Sequence, residues 1–392
     1  QVSGDVRAPL HAHASRRSPP TEMLSRPPTT VEQRFRRTKH KTNAHKAVKI
    51  RKAEVRKIKF TISKGQGPAV RKADSSLETS RVAFIGAGFC AGQPTDGVSH
   101  GPSALKAAGL GKAVRALGKA WTEQEITFPD VDLFEVCPDA GLHRVKDAVE
   151  SAAADRAFVL TVGGDHSIAA ATIAGMASVH RDKLAVIWVD AHADANTPST
   201  SLSGNYHGMS AAHVMGWFEE TPLGFEWLPE GGCIAEERLA YIGLRDVDAA
   251  EARMLRKSNV TVFSMHDVER LGIGKVTELA LAAVDPRCER AVHLSLDIDA
   301  IDPLVAPATG TKASGGLTQR EIIYVCTELA LSKRLISMDL VELNPDIDAP
   351  GDPSTPPMHG DHPALSAGLS PTVKLAAECV IAALDGSGNA MR

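Results

Sequence analysis

Three short polar clusters, each directly after an apolar run, carry side chains that could bind metal ions. In chain order they contribute His166, then Asp190, His192 and Asp194, and then Asp297 and Asp299. Side chains alternate between faces along an extended chain, so cluster members two residues apart are expected to point the same way. An isolated buried carboxylate would neutralise or be excluded from the interior. Cations are therefore expected beside these aspartates.

The charge and the ligand types of the clusters indicate two divalent ions. The four aspartates carry a charge of −4, which two divalent cations balance. Mixed carboxylate and imidazole ligands suit manganese or a comparable first-row ion better than calcium or structural zinc. Two ions that share carboxylates lie about 3.5–4 Å apart and can ionise a bridging water near neutral pH. A lone Asp-x-Asp pair is usually a turn, but three clusters at strand ends with a matching period are far more specific.

The elements that must position these clusters alternate between strand-like and helix-like segments. Short apolar runs predict strands over residues 82–86, 157–162, 184–189, 239–243, 260–263, 291–296 and 335–340. Stretches of helical period lie between them, for example over residues 101–117, 168–179 and 319–333. This alternation predicts one three-layer α/β/α domain with a mostly parallel sheet over residues 81–392. Ligands of such folds bind outside the carboxyl ends of the strands, where the three clusters fall.

Length and composition are those of an ordinary globular protein. The 392 residues are 43% hydrophobic and 23% charged, which excludes collagen-like, coiled-coil and wholly disordered chains. No apolar run approaches the 18 or so residues that a membrane-spanning helix needs, so no membrane insertion is expected. The six cysteines are far apart and form no CxxC pair. A disulfide framework and a zinc ribbon are therefore not indicated, and a reducing compartment is expected.

The charge is divided between a basic N-terminal arm and an acidic body. Residues 1–80 hold 19 Lys and Arg against 6 Asp and Glu, whereas the remainder holds 25 against 41. The arm lacks a sustained apolar period and is expected to be disordered. Its composition is typical of a solvated extension or an organelle-targeting segment, and less so of a tail that binds nucleic acid or a membrane surface. The protein is accordingly expected in the cytoplasm or the mitochondrion.

The clusters and the motifs around them resemble the arginase/agmatinase family of manganese ureohydrolases. The likeness runs from about Arg81 to a C-terminal helix ending near Leu384. It rests on motifs at residues 92–94, 97–98, 101–102, 163–167, 188–198, 203–208, 241–248, 295–303, 308–311 and 342–345. The resemblance implies two Mn²⁺ ions per chain and hydrolysis of a guanidinium group.

The resemblance also implies a role for each residue of the clusters. One ion would be held by His166, Asp190, Asp194 and Asp297, and the other by Asp190, His192, Asp297 and Asp299. A hydroxide bridging the ions would attack the guanidinium carbon of L-arginine and yield ornithine and urea, with Asp194 orienting the hydroxide. His207 would shuttle protons and protonate the departing amine, which suits a side chain with a pKa near 6.5. Glu342 would pair with the cationic guanidinium.

Residues at the other end of the substrate favour L-arginine over agmatine, which lacks the α-carboxylate. Asn196 and Ser203 match family positions that contact the α-carboxylate. Asp248, with Glu251 acting through water, matches the partner of the α-amino group, and Thr311 is also assigned to substrate binding. A site built to hydrogen-bond a polar group discriminates strongly against an analogue that lacks the group.

Two further expectations concern the periphery of the chain. Residues 346–371 form a Pro/Gly/His-rich insertion directly after the motif at 342–345, and such composition favours a surface loop. Members of the family are commonly trimers, so a homotrimer is expected.

Two other functions compete with arginine hydrolysis. In a ureohydrolase for another guanidino compound, Asn196, Ser203 and Asp248 would not converge on one end of the pocket. A catalytically silent binding protein or regulator would lack a ligand, His207 or Glu342, and none of these is missing.

Overall fold

Eight parallel strands form one sheet through the middle of the computed structural model, which describes residues 80–129, 141–348 and 362–387. The strands are β1 (Arg81–Ala87), β2 (Ala120–Glu125), β3 (Phe158–Gly163), β4 (Leu184–Val189), β5 (Leu239–Leu244), β6 (Thr261–Ser264), β7 (Ala291–Asp297) and β8 (Leu335–Val341). Their order across the sheet is β2-β1-β3-β8-β7-β4-β5-β6. Strands β3, β4, β5, β7 and β8 are buried along their whole length, as expected for a parallel sheet with both faces covered.

Helices cover the two faces of this sheet. They are α1 (Gly101–Ala107), α2 (Leu110–Ala116), α3 (Leu142–Ala154), α4 (Ile168–His180), α5 (Ser210–Val214), α6 (Ala249–Lys257), α7 (Met265–Leu271), α8 (Ile273–Val284), α9 (Gln319–Leu331) and α10 (Pro371–Leu384). One apolar core joins the sheet to α1, α2 and α7–α10, and a second joins the other face to α3–α6. The predicted three-layer α/β/α fold with a parallel sheet is therefore confirmed.

One local prediction was wrong, and one strand was not predicted at all. The helix expected over residues 101–117 is broken into α1 and α2, because Gly109 adopts a left-handed backbone with φ of 87°. Strand β2 was missed, because it lies at the edge of the sheet and pairs only with β1, so that only Trp121 of its six residues is buried. A mostly exposed strand does not show the apolar run that marks the central strands.

The predicted arm and much of the predicted insertion lie outside the described residues. The arm at 1–80 is described only at Ser80, and the insertion only at its ends. At one end a short 3-10 helix spans Pro345–Ile347, and at the other α10 begins at Pro371. Within the described part of the chain, no helix is long and apolar enough to cross a membrane.

Candidate metal centre and active site

The carboxyl ends of four neighbouring strands bring the candidate site residues together. His166 follows β3 after a short turn, Asp190 directly follows β4, Asp297 ends β7, and Glu342 directly follows β8. Strands β3, β8, β7 and β4 are adjacent and parallel, so their carboxyl ends lie at the same edge of the sheet. This is the edge at which parallel α/β folds bind their ligands.

The segments that carry these residues after β4 and β7 form turns. They are not the extended segments, with side chains alternating between two faces, that the spacing predicts. Oδ1 of Asp190 accepts the backbone N–H of His192 at 2.7 Å, so the chain bends directly after β4. Asp194 then has a left-handed backbone, with φ of 46°. After β7 the N–H of Asp299 donates to Oδ1 of Asp297 at 2.7 Å, inside a 3-10 turn. The side chains converge as expected, but the geometric reason given by the sequence was wrong.

The Nδ1 atom of His166 lies among three carboxylates without making a hydrogen bond to any described residue. Its distances to Oδ2 of Asp190, Asp194 and Asp297 are 3.1, 3.0 and 3.1 Å. The ring is fully buried, and its other nitrogen, Nε2, is hydrogen-bonded to Oγ of Ser295 at 2.9 Å. Buried polar atoms are almost always paired. A nitrogen that faces carboxylate oxygens without such a bond therefore fits a metal ligand set, because one cation satisfies all of these atoms.

A second group of possible ligands shares Asp190 with the first. Nδ1 of His192 lies 3.0 Å from Oδ2 of Asp299 and 3.6 Å from Oδ1 of Asp190. Ligand atoms of Asp190, His192 and Asp299 all lie within 4.8 Å of one another, as do those of His166, Asp190 and Asp194. Asp190 thus turns one oxygen toward each histidine, an arrangement that suits a carboxylate shared by two cations.

The concentration of negative charge shifts the pKa values of these side chains. Burial, Asp299 and Asp190 raise the pKa of Asp297 well above its usual range. Burial and Asp190 raise the pKa of Asp299 to about 6. Burial disfavours the charged form of His192, but its contacts with Asp190 and Asp299 outweigh burial and raise its pKa to about 12. The site therefore retains protons in the metal-free protein, and divalent cations would take their place.

His207 and Glu342 form a hydrogen-bonded pair beside the six candidate metal ligands, which are called the metal cluster below: His166, Asp190, His192, Asp194, Asp297 and Asp299. Nδ1 of His207 lies 3.0 Å from Oε1 of Glu342, whose carboxylate is buried. The same Oε1 accepts the N–H of His166 at 3.0 Å, and Oε2 accepts Nε2 of Gln93 at 2.5 Å. Burial opposes a charge on either partner, but their contact raises the pKa of His207 to about 9 and lowers that of Glu342. The pair is thus a neighbouring cation and anion.

A cavity of about 210 Å³ opens next to these groups and contains every predicted substrate-binding residue. Its lining includes Asn196, Ser203, Asp248, Glu251 and Thr311, together with His192, Asp194, His207 and Asp297. Nδ2 of Asn196 donates to Oδ2 of Asp248 at 3.0 Å, so these two residues are in direct contact in the cavity wall. Glu342 is not part of this lining, but its Oε1 is hydrogen-bonded to His207, which is.

Two of the substrate-binding candidates are also tied into the structure. Glu251 accepts the N–H of Ala195 at 2.8 Å and that of Asp248 at 3.0 Å, and burial raises its pKa to about 7. The Thr311 hydroxyl donates to Oδ2 of Asp299 at 2.9 Å, on the oxygen that faces His192. Both residues therefore connect the cavity wall to the elements that carry the metal cluster.

Two residues that hydrogen-bond to candidate metal ligands were not identified from the sequence. Ser295 is hydrogen-bonded to His166, and Trp188 donates its indole N–H to Oδ2 of Asp190 at 2.8 Å. The Trp188 ring also stacks on His166 with centroids 4.3 Å apart. Each lies two residues before a cluster aspartate, so the period of two along a strand would have indicated that both face the site.

Comparison with known proteins identifies the family. The family model described as the arginase family matches residues 80–367. An arginase of Schizosaccharomyces pombe is 39% identical over 281 residues, which cover 69% of this chain and 86% of that protein. Mitochondrial arginase-2 of Homo sapiens is 43% identical over 279 residues, which cover 68% of this chain and 78% of that protein.

A solved structure extends the likeness to the whole fold. The crystal structure of arginase from Bacillus subtilis superposes with a TM-score of 0.67 at 33% identity, and the match covers 78% of this chain and 98% of that one. The resemblance carried by the sequence motifs is thereby confirmed, and this chain belongs to the arginase family.

Proposed function

We infer that this chain hydrolyses the guanidinium group of L-arginine to L-ornithine and urea, with two manganese ions per chain. The observation that carries the inference is the pair of buried histidine–carboxylate groups that share Asp190, beside a cavity lined with polar side chains. The relatives that bear the name arginase support the choice of substrate.

The residues present fit a binuclear centre. One cation would be held by His166, Asp190, Asp194 and Asp297, and the other by Asp190, His192, Asp297 and Asp299. The unbonded Nδ1 of His166 and the mixed carboxylate and imidazole set support manganese or a similar first-row ion. When bound, the two cations supply Lewis acidity, which lowers the pKa of water toward neutrality and so provides the nucleophile.

Asp194 orients the attacking water, and His207 donates a proton to the leaving group. Both line the cavity, and both lie next to the groups that would hold the cations. Asp194 accepts a hydrogen bond from the attacking water and thereby orients it. Because Nδ1 of His207 is committed to Glu342, Nε2 is the ring atom that gives a proton to the departing amine.

Glu342 is the partner of the substrate guanidinium. A carboxylate offers about four acceptor sites, and three of those on Glu342 are taken by His207, His166 and Gln93. One site is left for a guanidinium N–H, next to the residue that donates the proton. This arrangement places the positive charge of the substrate against a buried anion.

The other end of the cavity selects the amino acid. Asn196 and Ser203 bind the α-carboxylate, and Asp248 binds the α-amino group, with Glu251 acting through water. The hydrogen bond between Asn196 and Asp248 supports this assignment, because it brings a carboxylate-binding and an amine-binding group together. Thr311 also lines the cavity and contributes to substrate binding from the side of the metal centre, where its hydroxyl contacts Asp299.

The proposals for assembly and compartment rest on the family resemblance and not on the geometry. We expect a homotrimer that works on a small molecule in the cytoplasm or the mitochondrion. The human relative that bears the word mitochondrial in its name supports the second compartment.

Product analysis tests the proposed activity. The full chain, loaded with Mn²⁺, should convert L-arginine to equal amounts of ornithine and urea, and should convert agmatine at least about a hundredfold less efficiently. Mass spectrometry of both reactions identifies the products. Urea from agmatine at an equal rate would contradict the assignment of Asn196 and Ser203, and the absence of urea from both would contradict the proposed activity.

A further inference from the structure

Tyr206, the residue before His207, forms a hydrogen bond that the mechanism above does not use. Its hydroxyl lies 2.7 Å from Nδ1 of His213, seven residues further along the chain. The bond spans the segment in which a 3-10 helix at Tyr206–Met209 passes directly into α5. It therefore ties the start of this segment, where His207 lies, to the far end of α5.

An aromatic enclosure surrounds this hydrogen bond. The ring of Phe225 packs on Tyr206 and on His213, with centroid distances of 4.9 and 4.8 Å, and is itself fully buried. Phe218 stacks flat on His213 at 4.2 Å, with an angle of 2° between the planes. Tyr206 and His213 are only 6% and 4% exposed, so water does not compete freely for their polar atoms.

The segment that carries the bond also supports the active site through its backbone. The N–H of Ala211 donates to the carbonyl of Asp194 at 2.9 Å, and the carbonyl of Gly208 accepts the N–H of Asn196 at 3.2 Å. A displacement of this segment would therefore move His207 relative to Asp194 and Asn196, which line the same cavity.

A polar pair in an apolar enclosure costs free energy unless both partners are satisfied. Burial lowers the pKa of His213 to about 4, so the ring is neutral at physiological pH. In the tautomer that carries its proton on Nε2, Nδ1 accepts a hydrogen bond from the Tyr206 hydroxyl. Two apolar side chains would fill the enclosure without this cost, but many arrangements of them would be nearly equal in energy. A hydrogen bond has one distance and one direction, and it therefore defines a single position for the segment.

We propose that Tyr206 and His213 are positioning residues that hold His207 in place for proton transfer through their mutual hydrogen bond. The proposal rests on the proposed arginine hydrolysis. Neither residue lines the cavity, and their polar atoms are bonded to each other inside the aromatic enclosure, so neither is expected to contact the substrate. Their loss should therefore affect the step that uses His207 more than the binding of arginine.

Two substitutions of His213 separate the hydrogen bond from simple packing. His213→Asn keeps a carbonyl oxygen close to the position of Nδ1, whereas His213→Leu fills similar space without an acceptor. In the full, Mn²⁺-loaded chain, His213→Leu should lower kcat on arginine about tenfold with KM within about twofold of the wild type. His213→Asn should retain most of the wild-type kcat, and Tyr206→Phe, which removes one oxygen atom, should behave like His213→Leu. Metal content, measured on the same samples, should be unchanged in all three variants.

Each result either supports the proposal or overturns it. Equal kcat values for His213→Asn and His213→Leu would overturn it, and so would a wild-type kcat for Tyr206→Phe. A wild-type chain that does not hydrolyse arginine would overturn the proposed function and the positioning role together. An active wild type with insensitive variants would overturn the positioning role alone.

Discussion

Asp190 offers one carboxylate oxygen to each of two histidines: Oδ2 lies 3.1 Å from Nδ1 of His166, while Oδ1 faces Nδ1 of His192 at 3.6 Å. Asp190 directly follows β4, and β4 lies beside β7, whose carboxyl end carries Asp297 and leads to Asp299. Because Asp190 belongs to both sets of possible metal ligands, its loss should disable both proposed cation sites.

Substitution of Asp190, the proposed shared ligand, should therefore abolish metal binding and turnover together. We expect Asp190→Ala to lower urea release from arginine by about a thousandfold or more and to leave less than one ion per chain. Elemental analysis of the dialysed protein measures the metal content. Asp182→Ala, which removes an exposed aspartate eight residues earlier, serves as the matched control and should change neither quantity. Normal metal content in Asp190→Ala would show that Asp190 is not shared.

Loss of the proposed proton donor should separate metal binding from catalysis. His207→Asn removes the ring that pairs with Glu342, and general acid–base groups contribute about a hundredfold or more to rate. We expect kcat to fall by that order while both ions stay bound, because His207 is not among the proposed metal ligands. His266→Asn, at an exposed position on α7, is the control. Loss of metal from His207→Asn at the same time would instead assign His207 to the metal centre.

Substitutions in the two parts of the proposed amino-acid subsite should affect arginine and agmatine differently. Ser203→Ala should weaken the use of arginine about tenfold and leave agmatine unaffected, because agmatine has no carboxylate to contact that residue. Asp248→Asn should weaken both substrates, because both carry the amino group, and Asn preserves the cap of α6. Values of kcat/KM for both substrates with both variants measure the effect. Equal losses on arginine and agmatine in Ser203→Ala would contradict its role.

The buried His213 should make the free energy of unfolding depend on pH between about 4 and 6.5. Its pKa is about 4 in the folded protein against 6.5 when unfolded, because burial disfavours the charged ring. The unfolded chain therefore binds more protons between these values, so the stability that His213 contributes is present above pH 6.5 and is lost as pH falls toward 4. At pH 5 the loss is about 2 kcal/mol.

The variant His213→Asn isolates this contribution, since it cannot titrate in that range. Denaturant unfolding of both proteins at pH 7 and pH 5 gives the free energy of unfolding in each case. We expect the wild type to lose more stability than His213→Asn between the two pH values, while the changes at the metal cluster are common to both proteins. Parallel losses would show that His213 is not desolvated as the structure indicates.

The sequence could predict most of the sheet because burial on both faces leaves a plain signal. Strands such as Leu184–Val189 are continuous apolar runs, and the polar residues after them mark the carboxyl ends where His166, Asp190 and Asp297 converge. Strand β2 lies at the sheet edge with Trp121 as its one buried residue, so the same signal is lacking. The bend after Asp190 could not be predicted either, because it depends on a hydrogen bond to the N–H of His192.

Contacts between distant parts of the chain were also beyond sequence reasoning. Gln93 and Glu342 are 249 residues apart, and only the fold shows that Nε2 of one meets Oε2 of the other. The enclosure around Tyr206 and His213 likewise depends on Phe225, which returns to them from a later loop. Such contacts follow from the packing of loops at the carboxyl edge of the sheet, for which spacing along the chain gives no signal.

Titration of the metal-free full chain with Mn²⁺, followed by urea release from L-arginine, tests the central claim most directly. The binuclear account predicts negligible turnover without metal, a rise that levels off near two ions per chain, and loss of activity when a chelator is added. Full activity without metal, a plateau at one ion, or two bound ions without any urea would contradict it.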